Sequence, residues 1–145
     1  MFFLFLIFSS CSSDTTNNES VIIPTQIGIG SLYGAGDENI GQQNVVITNQ
    51  ANWTALINQM DLVNNTSSTF TEVNIDFANY QLLVVFDQVR ATGGFSIQID
   101  SVTETENTIE ASVSMTSPGE VATMVITQPF HIVKIPISTK PIVFQ

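Results

Sequence analysis

The nine residues Gln128–Pro136, QPFHIVKIP, constrain the fold more than any other stretch. Side chains alternate along a strand, so Phe130, Ile132 and Lys134 share one face while His131, Val133 and Ile135 share the other. Both faces are largely apolar, which predicts a strand covered on both sides or one that crosses between two sheets. Pro129 has no amide hydrogen to offer a ladder, so it belongs at an edge, a strand start or a bend. The preceding residues, Val121 to Thr127, are also strand-like. A straight strand from Val121 to Ile135 would run about 50 Å at ~3.3 Å per residue, too long for a small domain. The expectation is one long strand that bends at Gln128 and Pro129 and changes sheets, with a chain reversal there as the alternative.

A chain of 145 residues suffices for one domain with its own core, burying roughly 70% of its unfolded surface. Thirteen acidic against three basic residues give a net charge of −10. Nucleic-acid and polybasic membrane binding need clustered Lys and Arg, and Arg90, Lys134 and Lys140 are all there is. Cys11 is the only cysteine, which excludes an internal disulfide.

The chain begins with the apolar run MFFLFLIF, followed by Ser9, Ser10 and Cys11. The run is too short to span a bilayer, which takes about 20 residues in a helix, so it reads as a signal core. The segment resembles a bacterial lipoprotein signal cleaved just before the cysteine; an ordinary signal peptide is the alternative. The resemblance implies residues 1–10 as signal peptide, Cys11 as the lipidated first residue, and a place in the bacterial cell envelope, facing the periplasm or on the outer membrane. Several acyl chains at ~0.8 kcal/mol per buried methylene make a stable anchor. Residues 11–20, rich in Ser, Thr and Asn, read as a flexible tether to a folded domain at 21–145. Leaving out Asp14 and Glu19, that domain keeps a net charge of −8.

Val21 to Ile29, with one proline at 24, reads as an edge strand. Gly28, Gly30, Gly34, Gly36 and Gly41 then punctuate a loop, but their spacing matches neither phosphate-binding fingerprint. Asp37, Glu38 and Asn39 suggest calcium only weakly, because the ligand spacing of a helix-loop-helix site is absent. Trp53, Leu56, Ile57 and Met60 fall at i, i+3, i+4 and i+7, which predicts one amphipathic helix at about residues 50–61, capped by Thr48 or Asn49. At that spacing Trp53 is a core residue.

Leu82 to Phe86 is the continuous apolar run of a central strand. Phe95, Ile97 and Ile99 alternate with polar residues, as do Ile109, Ala111, Val113 and Met115 after a turn near Glu106 and Asn107, which predicts a hairpin with one buried face. Ile142 to Phe144 forms a last short strand. The elements together predict an α+β fold: an antiparallel, sandwich-like β domain with one amphipathic helix.

The hairpin sets the turn Arg90–Gly94 beside Ser117–Glu120. Arg90, Thr92, Gly93, Gly94, Phe95, Pro118 and Gly119 are therefore the candidate partner-binding residues, with Arg90 as an anchor for an acidic partner surface.

From roughly Tyr80 to Phe144 the chain resembles the protease complex subunit PrcB family. The residues that carry the resemblance are LLVVF, Thr92-Gly93-Gly94-Phe95-Ser96-Ile97, Thr116-Ser117-Pro118, VITQPFHIVKIP and Lys140-Pro141. It implies an exported, non-enzymatic accessory subunit that associates with a protease, and it brings no catalytic residues and no cofactor. A weaker resemblance is to chagasin-type cysteine protease inhibitors, whose loops carry three motifs: Thr-Gly-aromatic, a Gly-containing turn and Arg-Pro-aromatic. Gln128 stands in place of the arginine, and a single strand between Ser117-Pro118-Gly119 and Pro129 would put the last motif at the far end of the domain.

Catalysis finds little support. His131 is the only histidine and no nucleophile is signalled beside it. No serine has glycine two residues to each side, and one histidine without a second cysteine argues against a zinc site. A carboxylate pair drawn from Asp76, Asp87, Asp100 or Glu104 is the remaining hydrolase alternative.

Overall fold

The computed structural model describes residues 18–145. Cys11, the expected signal segment and most of the expected tether lie outside these residues. Among the described residues, the first of eight strands begins at Ser20.

The strands are β1 (Ser20–Ile22), β2 (Thr25–Leu32), β3 (Gln43–Ile47), β4 (Tyr80–Phe86), β5 (Ser96–Glu104), β6 (Ile109–Thr116), β7 (Gln128–Pro136) and β8 (Ile142–Phe144). One sheet has the order β1-β5-β6-β8, the other β2-β7-β4-β3. All pairings are antiparallel except β6 with β8, which is parallel. Helix α1 (Gln50–Met60) is the one α-helix among the described residues. Asn49 caps it, its side-chain oxygen accepting the Asn52 N–H at 2.9 Å, which satisfies one of the donors that a helix start leaves free.

These elements stack in three layers, and the order of the layers explains the sequence. Leu82, Val84, Phe86, Phe130 and Ile132 pack against Trp53, Leu56 and Met60 of α1. On the opposite face of the same two strands, Leu83, Val85, Val133 and Ile135 pack against Ile97, Ile99, Val102, Ile109 and Ala111 of the first sheet. Strands β4 and β7 are central in the middle layer, so both of their faces must be apolar. The β5–β6 hairpin covers only one side and alternates. Trp53 is fully buried, donates its indole N–H to the Val73 carbonyl at 2.8 Å and stacks on Phe70 at 6.0 Å between ring centres.

The stretch from Val121 to Thr127 is no strand: β7 begins at Gln128 and stays between β2 and β4, with no bend into the other sheet. A strand requires a partner edge, and after β6 ends at Thr116 only Thr127 finds one, in a single bridge to Arg90. Pro129 sits at the strand start. The expected edge strand from Val21 to Ile29 is two strands, parted at Pro24: β1 pairs with β5 and β2 with β7. Proline cannot donate to a ladder, and here it marks the crossing from one sheet to the other.

Candidate binding end

The candidate residues gather where β4 ends, β5 begins, β6 ends and β7 begins. Asp87 follows β4 and is only 1% exposed. Its carboxylate accepts Arg90 Nε at 2.7 Å and Nη2 at 3.0 Å, as well as the Gln88 N–H at 2.7 Å. The guanidinium also lies 4.5 Å from the centre of the Phe95 ring, within cation–π range. Arg90 and Thr127 exchange two backbone hydrogen bonds, 2.7 and 3.0 Å long. The Thr127 hydroxyl donates to the Thr92 carbonyl at 3.0 Å.

The two glycines are required by this packing. Gly93 donates its N–H to the Thr123 carbonyl at 3.0 Å, and a Cβ on it would stand 2.2 Å from the Thr123 hydroxyl oxygen. Gly94 has φ +87, and its Cβ would meet Pro118 Cβ at 2.7 Å. Thus Arg90, Thr92, Gly93, Gly94, Phe95 and Pro118 do come together. Gly119 lies just beyond, with no neighbour within 4 Å of a Cβ built there.

Arg90 therefore has a structural role that its sequence context did not reveal, since an alanine there would leave a buried carboxylate without its cation. Lys134 pairs with Glu72, and Lys140 lies 2.9 Å from Glu104. Among the described residues every cation faces a carboxylate, so the uncompensated charge on the surface is acidic.

Sequence reasoning missed the apolar residues displayed here. Val121 is 90% and Met124 92% exposed, and Val125 and Ile126 are also exposed. Their apolar run predicts a strand; Pro118-Gly119 before them and Gln128-Pro129 after them are the signals of a loop.

The same loop changes the geometry of the third inhibitor-like motif. With no strand between residues 117 and 127, Gln128-Pro129-Phe130 begins β7 at the same end as Gly93, not at the far end. Burial now opposes that reading. Gln128 donates to the Ile40 and Asp87 carbonyls at 2.8 and 3.0 Å, and Gln128 and Phe130 are each 1% exposed, so neither can enter a protease cleft.

His131 lies between the two sheets. Its Nδ1 accepts the Ile99 N–H at 2.9 Å, and burial lowers its pKa from 6.5, partly offset by the charge of Asp100. The four carboxylates of the hydrolase alternative have separate surroundings: Asp87 is bound to Arg90, Glu104 to Lys140, and Asp76 to Asn79 and the Ala78 N–H, while Asp100 is exposed on β5. Asp37 is exposed, while Glu38 turns inward, fully buried, and accepts the Gly34 N–H at 2.9 Å.

The fold and this end define a three-layer α+β domain whose most elaborated loops sit at one end of the central strands. Residues 82–136 match the family model described as PrcB C-terminal, the family that the segments TGGF and QPF resemble. No curated protein and no solved structure matches the chain.

Proposed function

We propose that the chain is a non-catalytic, exported binding module, held in the bacterial cell envelope by a lipid on Cys11, and an accessory or stabilising subunit of an envelope protease complex. The observation that carries this reading is the extent of the family match: residues 82–136 contain both loops of the candidate end, Arg90–Phe95 and Pro118–Thr127. Exposed Met124 and Val121 supply apolar area at that end, and the turn beneath them bonds to the backbone of their loop at Thr123 and Thr127. Exposed apolar side chains of this kind are what a protein interface buries.

The test is co-purification of the full lipidated chain from its native envelope under mild detergent. The expected result is a protease in the recovered complex, retaining its activity when the chain is bound. Recovery of the chain alone, or a protease that the chain inhibits, overturns the proposal.

A further inference from the structure

The outer edge of β2 is closed along its first half and open along its second. Thr71 donates its N–H to the Ile27 carbonyl at 2.9 Å and its hydroxyl to the Gln26 carbonyl at 2.8 Å. Phe70 lays its ring over Gly28, 2.6 Å from where a Cβ would stand. Residues 70 and 71 thus imitate an added strand, with backbone on the edge and a side chain in the notch that a glycine leaves.

Two residues on, and on the same face, Gly30 leaves a second notch that nothing fills. The nearest atoms to a Cβ there would be Cε1 and Cζ of Phe130, both at 3.8 Å. That ring forms the floor of a cleft of about 360 Å³. Asn65 and Thr66 line the cleft, and their side chains make no hydrogen bond among the described residues; Tyr33, 60% exposed, stands beside them. Among the described residues no charged one lines it. Beyond Ile27, no group among the described residues hydrogen-bonds to the outer edge of β2.

We propose that this cleft binds an extended, uncharged polypeptide segment of a partner by strand addition to β2, with an apolar or aromatic side chain seated in the Gly30 notch on Phe130. An open strand edge presents alternating donors and acceptors, and an extended backbone is their complement. A charged side chain in the notch would be desolvated with no counter-charge, which selects for neutral segments. The seated side chain takes at Gly30 the place that Phe70 takes at Gly28. This inference rests on the cleft alone and not on the function proposed above.

The test uses the full chain and capped, fluorescent peptides of alternating Thr and Val with Phe, Leu, Ala or Asp at the centre, read by anisotropy. The Phe and Leu peptides bind about tenfold or more tightly than the Ala peptide, given the apolar area that the notch buries. The Asp peptide and a Phe peptide N-methylated at alternate residues do not bind. Gly30→Ala puts a methyl group into the notch and Asn65→Trp fills the cleft from its opposite wall. Each, folded by circular dichroism, loses the preference for Phe. The proposal is overturned if the Phe and Ala peptides bind equally or not at all, if the N-methylated peptide binds as well as its parent, or if both folded variants behave as wild type. Binding of neutral oligosaccharides in place of every peptide overturns it as well.

Discussion

His131 Nδ1 accepts the backbone N–H of Ile99 across the interface of the two sheets, at 2.9 Å. Ile99 lies on β5 where the register with β6 shifts, between Ile99 and Ser101, and His131 lies in the middle of β7. With Nδ1 accepting, the ring proton is on Nε2, which is buried without a partner. Protonation would turn the acceptor of the Ile99 N–H into a second donor in an apolar layer.

Acid should therefore loosen the sandwich. Burial holds the folded pKa of His131 below 6.5, with Asp100 pulling the other way. The unfolded chain takes up the proton first as pH falls, so this contribution is complete above ~6.5 and is lost between that value and the folded pKa. Its slope reaches at most about 1.4 kcal/mol per pH unit. Asp76, held below 3.8 by its bonds to Asn79 and Ala78, acts at lower pH. Urea midpoints at about pH 7.5 and 5 should fall for wild type and stay flatter for His131→Leu; parallel falls would contradict the assignment.

Trp53→Ala should cost ~3–5 kcal/mol, because it removes a fully buried indole from between α1 and the middle sheet. Trp53→Phe should lose less, keeping the ring contact with Phe70 but not the bond to Val73. Denaturant midpoints check both, and a cost for alanine below about 1 kcal/mol would mean that the side chain is not part of the core.

Helix α1, Trp53, the β5–β6 hairpin and the central run of β4 were legible in the sequence, because each follows from a local period of apolar residues. Strand β3 and the loop before β7 were not. Gln43–Ile47 and the residues from Val121 to Thr127 are similarly apolar, yet the first pairs along its length with β4 and the second finds only the single bridge of Thr127 to Arg90. The clustering of Gly93, Gly94 and Pro118 followed from hairpin geometry. The ion pair of Arg90 with Asp87 did not, since the two lie in a loop, where no regular period tells which side chains meet.

Arg90→Ala should destabilise the domain by roughly 1–3 kcal/mol, by leaving buried Asp87 unpaired. Arg90→Ala combined with Asp87→Asn should recover part of that loss. Gly94→Ala should also lower the thermal midpoint, since it places a Cβ at positive φ against Pro118, whereas Gly41→Ala, which meets no neighbour within 4 Å, serves as the control. Equal midpoints for Arg90→Ala and wild type would show that the ion pair contributes nothing.

Cys11→Ala should move the protein from the membrane to the soluble fraction with its denaturant midpoint unchanged, because the tether expected from the sequence keeps the lipid away from the core clusters of the described residues. Cell fractionation reads the first outcome directly. A membrane fraction equal to that of wild type would rule out the lipid anchor.

The most direct test of the proposed function places a photo-crosslinking amino acid at position 124 of the full lipidated chain, in its native envelope. Met124 is 92% exposed on the loop beside Gly93. Ser114, exposed on β6, is the control position. The account predicts a crosslink from position 124 to a protease subunit and none from position 114. A crosslink to that subunit from position 114 alone, or from neither position while the complex co-purifies, would contradict it.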